Sequence, residues 1–192
     1  MKIAVLGGTF NPVHIGHLML AEDVRIEFGY DKILFIPACI PPHKEYKALV
    51  SDFDRLEMLY RATSSNPFFE VDDCELRRKG FSYTYDTILE LEMRYKDKLD
   101  GKIGLIIGDD LLKDFDKWYN AEKLMEHVDL ICGKRLSSSY EIKTKVPFKK
   151  LTNPIFPISS SDFRSRYKSS LSCRYLLPDE VFEYILEKNL YV

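Results

Sequence analysis

Cysteine is sparse and unpaired in this chain of 192 residues: Cys39, Cys74, Cys132 and Cys173 lie far apart and form no C-x-x-C pair. That excludes a disulfide framework and a cysteine-built zinc site, and it points to a reducing cytoplasm. Net charge is nearly missing as well. With 28 basic and 30 acidic residues the formal charge is −2, which supplies no field to gather nucleic acid or an anionic membrane, so any attraction for phosphate has to be local. Long apolar runs are also lacking. Nothing approaches the ~20 residues of a membrane span, and the apolar stretch ahead of Gly7 is too short for a signal-peptide core. No internal repeat or low-complexity segment appears. What is present is a globular composition, 45% hydrophobic and 30% charged, at a length that can bury one core, so a single domain over 1–192 is expected.

Apolar, strand-like runs at Ile3–Leu6, Ile33–Ile36, Phe68–Cys74, Ile103–Ile107 and Val128–Cys132 alternate with helical patterns around 15–28, 52–64, 85–97 and 120–127. Such runs suit strands covered on both faces, which predicts an α/β fold: a doubly wound, Rossmann-like parallel sheet flanked by helices, with further helices at the C-terminus. Ligands then bind beyond the carboxyl ends of the strands. Gly29 after Phe28 reads as a helix stop, and Ser51 with Asp54 three residues on reads as a cap. Residues 134–150, with Lys143, Lys145, Lys149 and Lys150, read as a solvated connection.

The most informative segment follows the first strand: Gly7-Gly8-Thr9-Phe10-Asn11-Pro12-Val13-His14-Ile15-Gly16-His17. Gly7 and Gly8 permit a tight exit and close backbone approach, and Leu18, Ala21, Val24 and Phe28 recur at helical spacing, so a helix begins near His17. Its free N–H groups and positive dipole end favour an anion, here a polyphosphate. His14 and His17, three residues apart, project to one side toward the same ligand, and neither is expected in the core. No third His or Cys lies near them at zinc-ligand spacing. A second anion site is offered by Ile158-Ser159-Ser160-Ser161-Asp162-Phe163-Arg164, where N-cap residues precede a short helix that carries an arginine one turn in. Gly108-Asp109-Asp110 leaves another strand toward the same edge. Taken singly, a serine cluster is usually only a cap and Asp110 is also readable as one. Together, two helix starts facing one crevice hold a triphosphate from both sides.

These residues resemble the nucleotidyltransferase superfamily with the H-x-G-H signature, and nearly the whole chain is similar to the bacterial nicotinate-nucleotide adenylyltransferases. Pro37-Ala38-Cys39-Ile40-Pro41-Pro42-His43-Lys44 is similar to that family's P-x-x-x-P-P-H-K loop, and Glu75 to Thr87 to its E-x-x-R-x-G-x-S-Y-T-x-D-T block. Gly108 and Asp110 fit its G-x-D, Lys117-Trp118-Tyr119 its K-W-Y, and Tyr175 to Tyr191 its closing helix. Asp109 stands where Ala or Ser is commoner, and Ser161 and Phe163 replace the usual Thr and Ile. Repulsion of phosphate and assistance to a cation both stay open for Asp109.

The resemblance implies transfer of AMP from ATP to nicotinate mononucleotide in NAD biosynthesis, with Mg²⁺ carried on the ATP. It implies that His14 and His17 contact the ATP phosphates, His17 stabilising the pentavalent transition state, with Gly7, Gly8, Thr9 and Phe10 at the phosphate corner. Arg164 and the Ser159, Ser160 and Ser161 amides hold the leaving pyrophosphate, and Gly108 and Asp110 the ATP ribose. On the acceptor side it implies Trp118 against the pyridine ring, Thr84 and the backbone near Tyr119 on the nicotinate carboxylate, and Lys44 on the nucleotide phosphate. Trp118 is equally readable as a core aromatic, and Lys44 as a solvated loop lysine. Arg78 reads as structural, paired with Glu75 or Asp86.

Class I aminoacyl-tRNA synthetases share the H-x-G-H spelling, but the chain is short for an anticodon domain, has no K-M-S-K-S-like run and lacks a basic surface. Nicotinamide mononucleotide or phosphopantetheine as acceptor keeps the same chemistry, and the 75–87 and 117–119 blocks favour nicotinate nucleotide over them. A non-catalytic nucleotide sensor is disfavoured by the joint presence of both histidines, Arg164 and the serine helix start.

Overall fold

The computed structural model describes residues 1–42, 49–134, 144–152, 154 and 157–192. In chain order it contains β1 (Ile3–Gly8), α1 (Ile15–Phe28), β2 (Lys32–Pro37), α2 (Asp52–Thr63), β3 (Phe69–Val71), α3 (Cys74–Arg78), α4 (Thr84–Tyr95), β4 (Ile103–Gly108) and α5 (Asp109–Leu112). It continues with α6 (Ala121–His127), β5 (Val128–Gly133), β6 (Lys149–Lys150), α7 (Ser160–Lys168) and α8 (Asp179–Glu187). The strands form one parallel sheet in the order β3-β2-β1-β4-β5-β6. The direction of winding reverses between β1 and β4, which is where a crevice opens past the strand ends in a doubly wound fold. Register brings those ends level, with Gly8 opposite Pro37 and Gly108 opposite Gly133.

The two-residue alternation of strand side chains divides the core between the faces of the sheet. Leu6, Phe35, Ile106 and Ile131 pack with Leu20 and Val24 of α1, Met58 and Leu59 of α2, and Val181 and Ile185 of α8. Val5, Leu34, Leu105 and Leu130 pack on the other face with Ile88 and Leu91 of α4 and Leu124 of α6. Each such buried side chain is worth ~1.5–3 kcal/mol relative to exposure, so the sheet is clamped from both sides. Gly29 ends α1 at φ 67°, a left-handed position that costs glycine little. Ser51 caps α2, its hydroxyl accepting the Asp54 N–H at 3.0 Å.

The helix after the first strand, Ile15–Phe28 with His14 as its cap, matches the helical pattern expected around 15–28. Three expectations need correction. The run Phe68–Cys74 is a strand only over Phe69–Val71: the Asp72 carboxylate accepts the Cys74 N–H at 3.0 Å and opens α3 instead. Lys149 and Lys150, read as solvated connection, form β6 on the sheet edge, where Lys149 Nζ pairs with Asp129 of β5 at 2.8 Å. Arg78 is structural: it bonds to the Thr87 hydroxyl at 2.7 Å and to Glu90 at 3.1 Å, and its charge acts on Glu75, whereas Asp86 is not among its partners.

All four cysteines are free thiols. Burial pushes Cys74 and Cys132 up to about 12, and Cys173 is buried, leaving Cys39 the most accessible. A thiol reagent such as Ellman's should therefore modify one cysteine rapidly in the native protein, a phase lost in Cys39→Ser, and three more only on unfolding. A second fast thiol would contradict this packing.

Candidate active site

β1 runs out at Gly7–Gly8, and the chain then folds back on itself tightly enough that Phe10 adopts φ 47°. A Cβ on Gly8 would sit 3.0 Å from the Phe10 ring, a close approach that glycine makes without displacing the ring. The Phe10 ring is buried and meets His17 edge-on at 5.0 Å. His14 and His17 stack with ring centroids 3.6 Å apart. The two are also joined through backbone: His17 N–H donates to the His14 carbonyl at 2.9 Å, and His14 N–H donates to His17 Nδ1 at 3.2 Å. With Nδ1 accepting, the proton of neutral His17 resides on Nε2, which makes that atom a hydrogen-bond donor. His14 is only 2% exposed, against the expectation that neither imidazole is buried; it fills the space that Gly16 leaves open, where a Cβ would lie 3.1 Å from His14 Nδ1.

The second helix start meets this corner directly. The Ser159 hydroxyl caps α7 by accepting the Asp162 N–H at 3.0 Å. Ser160 Oγ donates to the Pro12 carbonyl at 2.8 Å, Arg164 Nη1 to the Asn11 carbonyl at 2.7 Å and Arg164 Nη2 to Ser161 Oγ at 3.0 Å. The two sequence motifs are thus walls of one cleft of about 970 Å³, at the upper end of the ~300–1,000 Å³ range of ligand clefts. Gly7, Gly8, Thr9, Phe10, His14, His17, Ser159, Ser160, Ser161 and Arg164 all line it, as do Gly108 and Asp110 beyond β4. Asp109 does not belong to that lining.

Thr84 and Trp118 also line the cleft. The Trp118 ring packs 5.0 Å from Phe115, and the residue also borders the cleft. Behind Thr84, buried Glu75 accepts the Thr87 hydroxyl at 2.6 Å, and burial pushes its carboxyl above the usual range against the hydrogen bonds from Thr87 and Ser82. Ser82 Oγ in turn accepts the Cys39 N–H at 2.8 Å, fixing the end of β2. The Tyr119 side chain is exposed and does not line the cleft; its ring packs against Tyr83 at 4.5 Å in a tilted arrangement. Lys44 lies outside the described residues. Among the described residues no three His, Cys, Asp or Glu side chains come together as metal ligands.

Sequence reasoning did not single out Asn11, which lines the cleft, or Arg55, whose fully buried guanidinium donates to the Thr9 carbonyl at 2.8 Å and to Asp52 at 2.5 Å. Arg55 left a trace. It shares the spacing of the buried stripe Met58, Leu59 and Ala62 on α2, and a charge at such a position needs a partner.

Comparison with known proteins agrees with this geometry. The Cytidylyltransferase-like family matches residues 5–166. A probable nicotinate-nucleotide adenylyltransferase of Borrelia garinii subsp. bavariensis is 41% identical over 194 residues, covering 100% of this chain and 95% of that protein. Another so named, from Treponema pallidum, is 37% identical over 202 residues, covering 100% and 99%. Among solved structures, the Plasmodium falciparum nicotinic acid mononucleotide adenylyltransferase complexed with NaAD superposes with a TM-score of 0.78 at 19% identity, covering 99% of this chain and 97% of that one. A Vibrio parahaemolyticus putative nicotinate-nucleotide adenylyltransferase gives 0.73 at 20% identity, covering 100% and 96%. With its full length matched at this level, the chain belongs to the Cytidylyltransferase-like family and, within it, to the nicotinate-nucleotide adenylyltransferases.

Proposed function

We infer that this protein, acting as one nucleotidyltransferase domain over 1–192, transfers AMP from ATP to nicotinate mononucleotide, giving nicotinate adenine dinucleotide and pyrophosphate in NAD biosynthesis. The observation that carries this reading is the joining of two helix N-termini in one cleft that Thr84 and Trp118 also line. A phosphate oxygen of the acceptor attacks the α-phosphorus of ATP in line, the bond from that phosphorus to the bridging β-oxygen breaks, and pyrophosphate leaves. Such a displacement needs no protein nucleophile, only positioning and neutralisation of developing charge. His17 Nε2–H donates to the phosphate that becomes pentavalent, His14 supports it through the stacked pair, and the corner Gly7, Gly8, Thr9 and Phe10 cradles the chain of phosphates. Arg164 and the amides of Ser159, Ser160 and Ser161 hold the departing pyrophosphate. Asp110 beside Gly108 accepts from the ribose hydroxyls.

The acceptor's pyridine ring lies against Trp118, with Thr84 and the Tyr119 backbone donating to its carboxylate. Hydrogen-bond donors placed there favour a carboxylate over an amide. Mg²⁺ belongs to the proposal as a companion of ATP, held through phosphate oxygens and water as such ions commonly are. ATP and nicotinate mononucleotide are the partners, with no role for nucleic acid or membrane; no described helix is long and apolar enough to cross one. A cytoplasmic setting accords with four free thiols.

An electrostatic donor at such a site is worth ~3 kcal/mol in the transition state. His17→Ala should accordingly keep the circular-dichroism spectrum and much of the ATP affinity while lowering kcat about 100-fold or more, and a near-normal kcat would remove His17 from the chemistry. For specificity, pyrophosphate release from Mg²⁺-ATP should be faster with nicotinate mononucleotide than with the nicotinamide mononucleotide or phosphopantetheine. Equal rates with acid and amide would contradict the roles given to Thr84 and Tyr119.

A further inference from the structure

The phosphate corner is braced at Asn11 by a residue that almost ends the chain. Tyr191 Oη donates to Asn11 Oδ1 at 2.7 Å, across 180 residues of sequence. The Tyr191 ring meets buried Phe163 of α7 edge-on at 5.7 Å, and Phe163 lies one residue before Arg164. Arg164 holds the carbonyl of the same Asn11 at 2.7 Å. One asparagine is therefore fixed at two points, its backbone by the second helix start and its side chain by the C-terminal tail. Asn11 is 6% exposed and lines the cleft. A carboxamide whose oxygen is taken by a hydroxyl presents its NH₂ elsewhere, and that group is a donor suited to an anion.

We propose that Tyr191 is a positioning residue of the adenylyl-transfer site: by occupying Asn11 Oδ1 it sets the carboxamide so that Nδ2 faces the ATP phosphates, and it locks the corner against α7. This rests on the function inferred above and adds to it a part for the C-terminal tail. The tail supplies a matched control in Tyr184 of α8, whose hydroxyl bonds to Asp54 of α2 at 2.9 Å. That bond also ties the C-terminus to the body but does not touch the corner.

The effect is one hydrogen bond read through the reacting geometry. Loss of such a bond is worth ~0.5–1.5 kcal/mol, about a threefold to tenfold change in rate. Tyr191→Phe keeps the ring on Phe163 and should lower kcat by that factor while KM for ATP changes less than about twofold. Tyr184→Phe should lower the melting temperature with kcat unchanged. In an Asn11→Ala background, itself slower, Tyr191→Phe should alter kcat by less than about twofold, because its target is gone. A Tyr191→Phe enzyme with wild-type kcat, or one whose loss persists in full without Asn11, would overturn the positioning role and leave the activity standing. Wild-type protein that makes no nicotinate adenine dinucleotide would instead remove the activity, and this role with it.

Discussion

The guanidinium of Arg164 and the hydroxyl of Ser160 reach the carbonyls of Asn11 and Pro12, which lie 153 and 148 residues away in sequence. This seam is what turns two ordinary helix N-termini into one site. Each alone would offer an anion a few N–H groups and a dipole largely screened by water, worth ~0.3–1 kcal/mol. Joined at the switch point of a parallel sheet, they are arranged to offer an anion donors from both helix starts without reorganisation. The H-x-G-H spelling follows from the same constraint. Histidine at 14 and 17 supplies the stacked pair, and glycine at 16 is the residue that leaves room for the His14 ring beside it.

Buried polar groups hold the walls around the seam. Arg55, with no exposed side-chain surface, spends its charge on the Thr9 carbonyl and on Asp52, holding the phosphate corner from behind. Elsewhere a chain of contacts runs from Asp72 through Arg94, Glu90, Arg78 and Thr87 to Glu75. It locks α3 and α4 around the turn that carries Ser82 and Thr84. Asp72, Thr87 and Glu75 are buried, and losing a partner of a buried polar group costs more than the net worth of the bond. Polar pairing therefore holds the elements around the cleft together with apolar packing.

Much of this was legible in the sequence because it depends on local rules. Strands β1, β2, β4 and β5 are apolar runs of strand length, Gly29 and Ser51 punctuate their helices, and the two anion motifs announce themselves by spacing. The sheet edges were harder. β3 is cut short by Asp72, whose side chain rewards a helix start over a strand, and β6 is a pair of lysines whose strand character exists only through pairing with β5. The burial of His14 is not legible in its spacing, because the ring fills the space that Gly16 leaves beside it. Asn11 and Arg55 were not singled out for a related reason: what they hold is a carbonyl or a tail hydroxyl, and backbone partners leave no pattern in sequence.

The central claim is that both helix starts grip the same triphosphate. Its most direct test is a titration of ¹⁵N-labelled protein with Mg²⁺ and a non-hydrolysable ATP analogue, following backbone amide resonances. Thr9, Phe10 and His17 on one side and Ser159, Ser160 and Ser161 on the other should shift together along one saturation curve. Shifts confined to one of the two groups, or two curves with separate midpoints, would contradict a shared site.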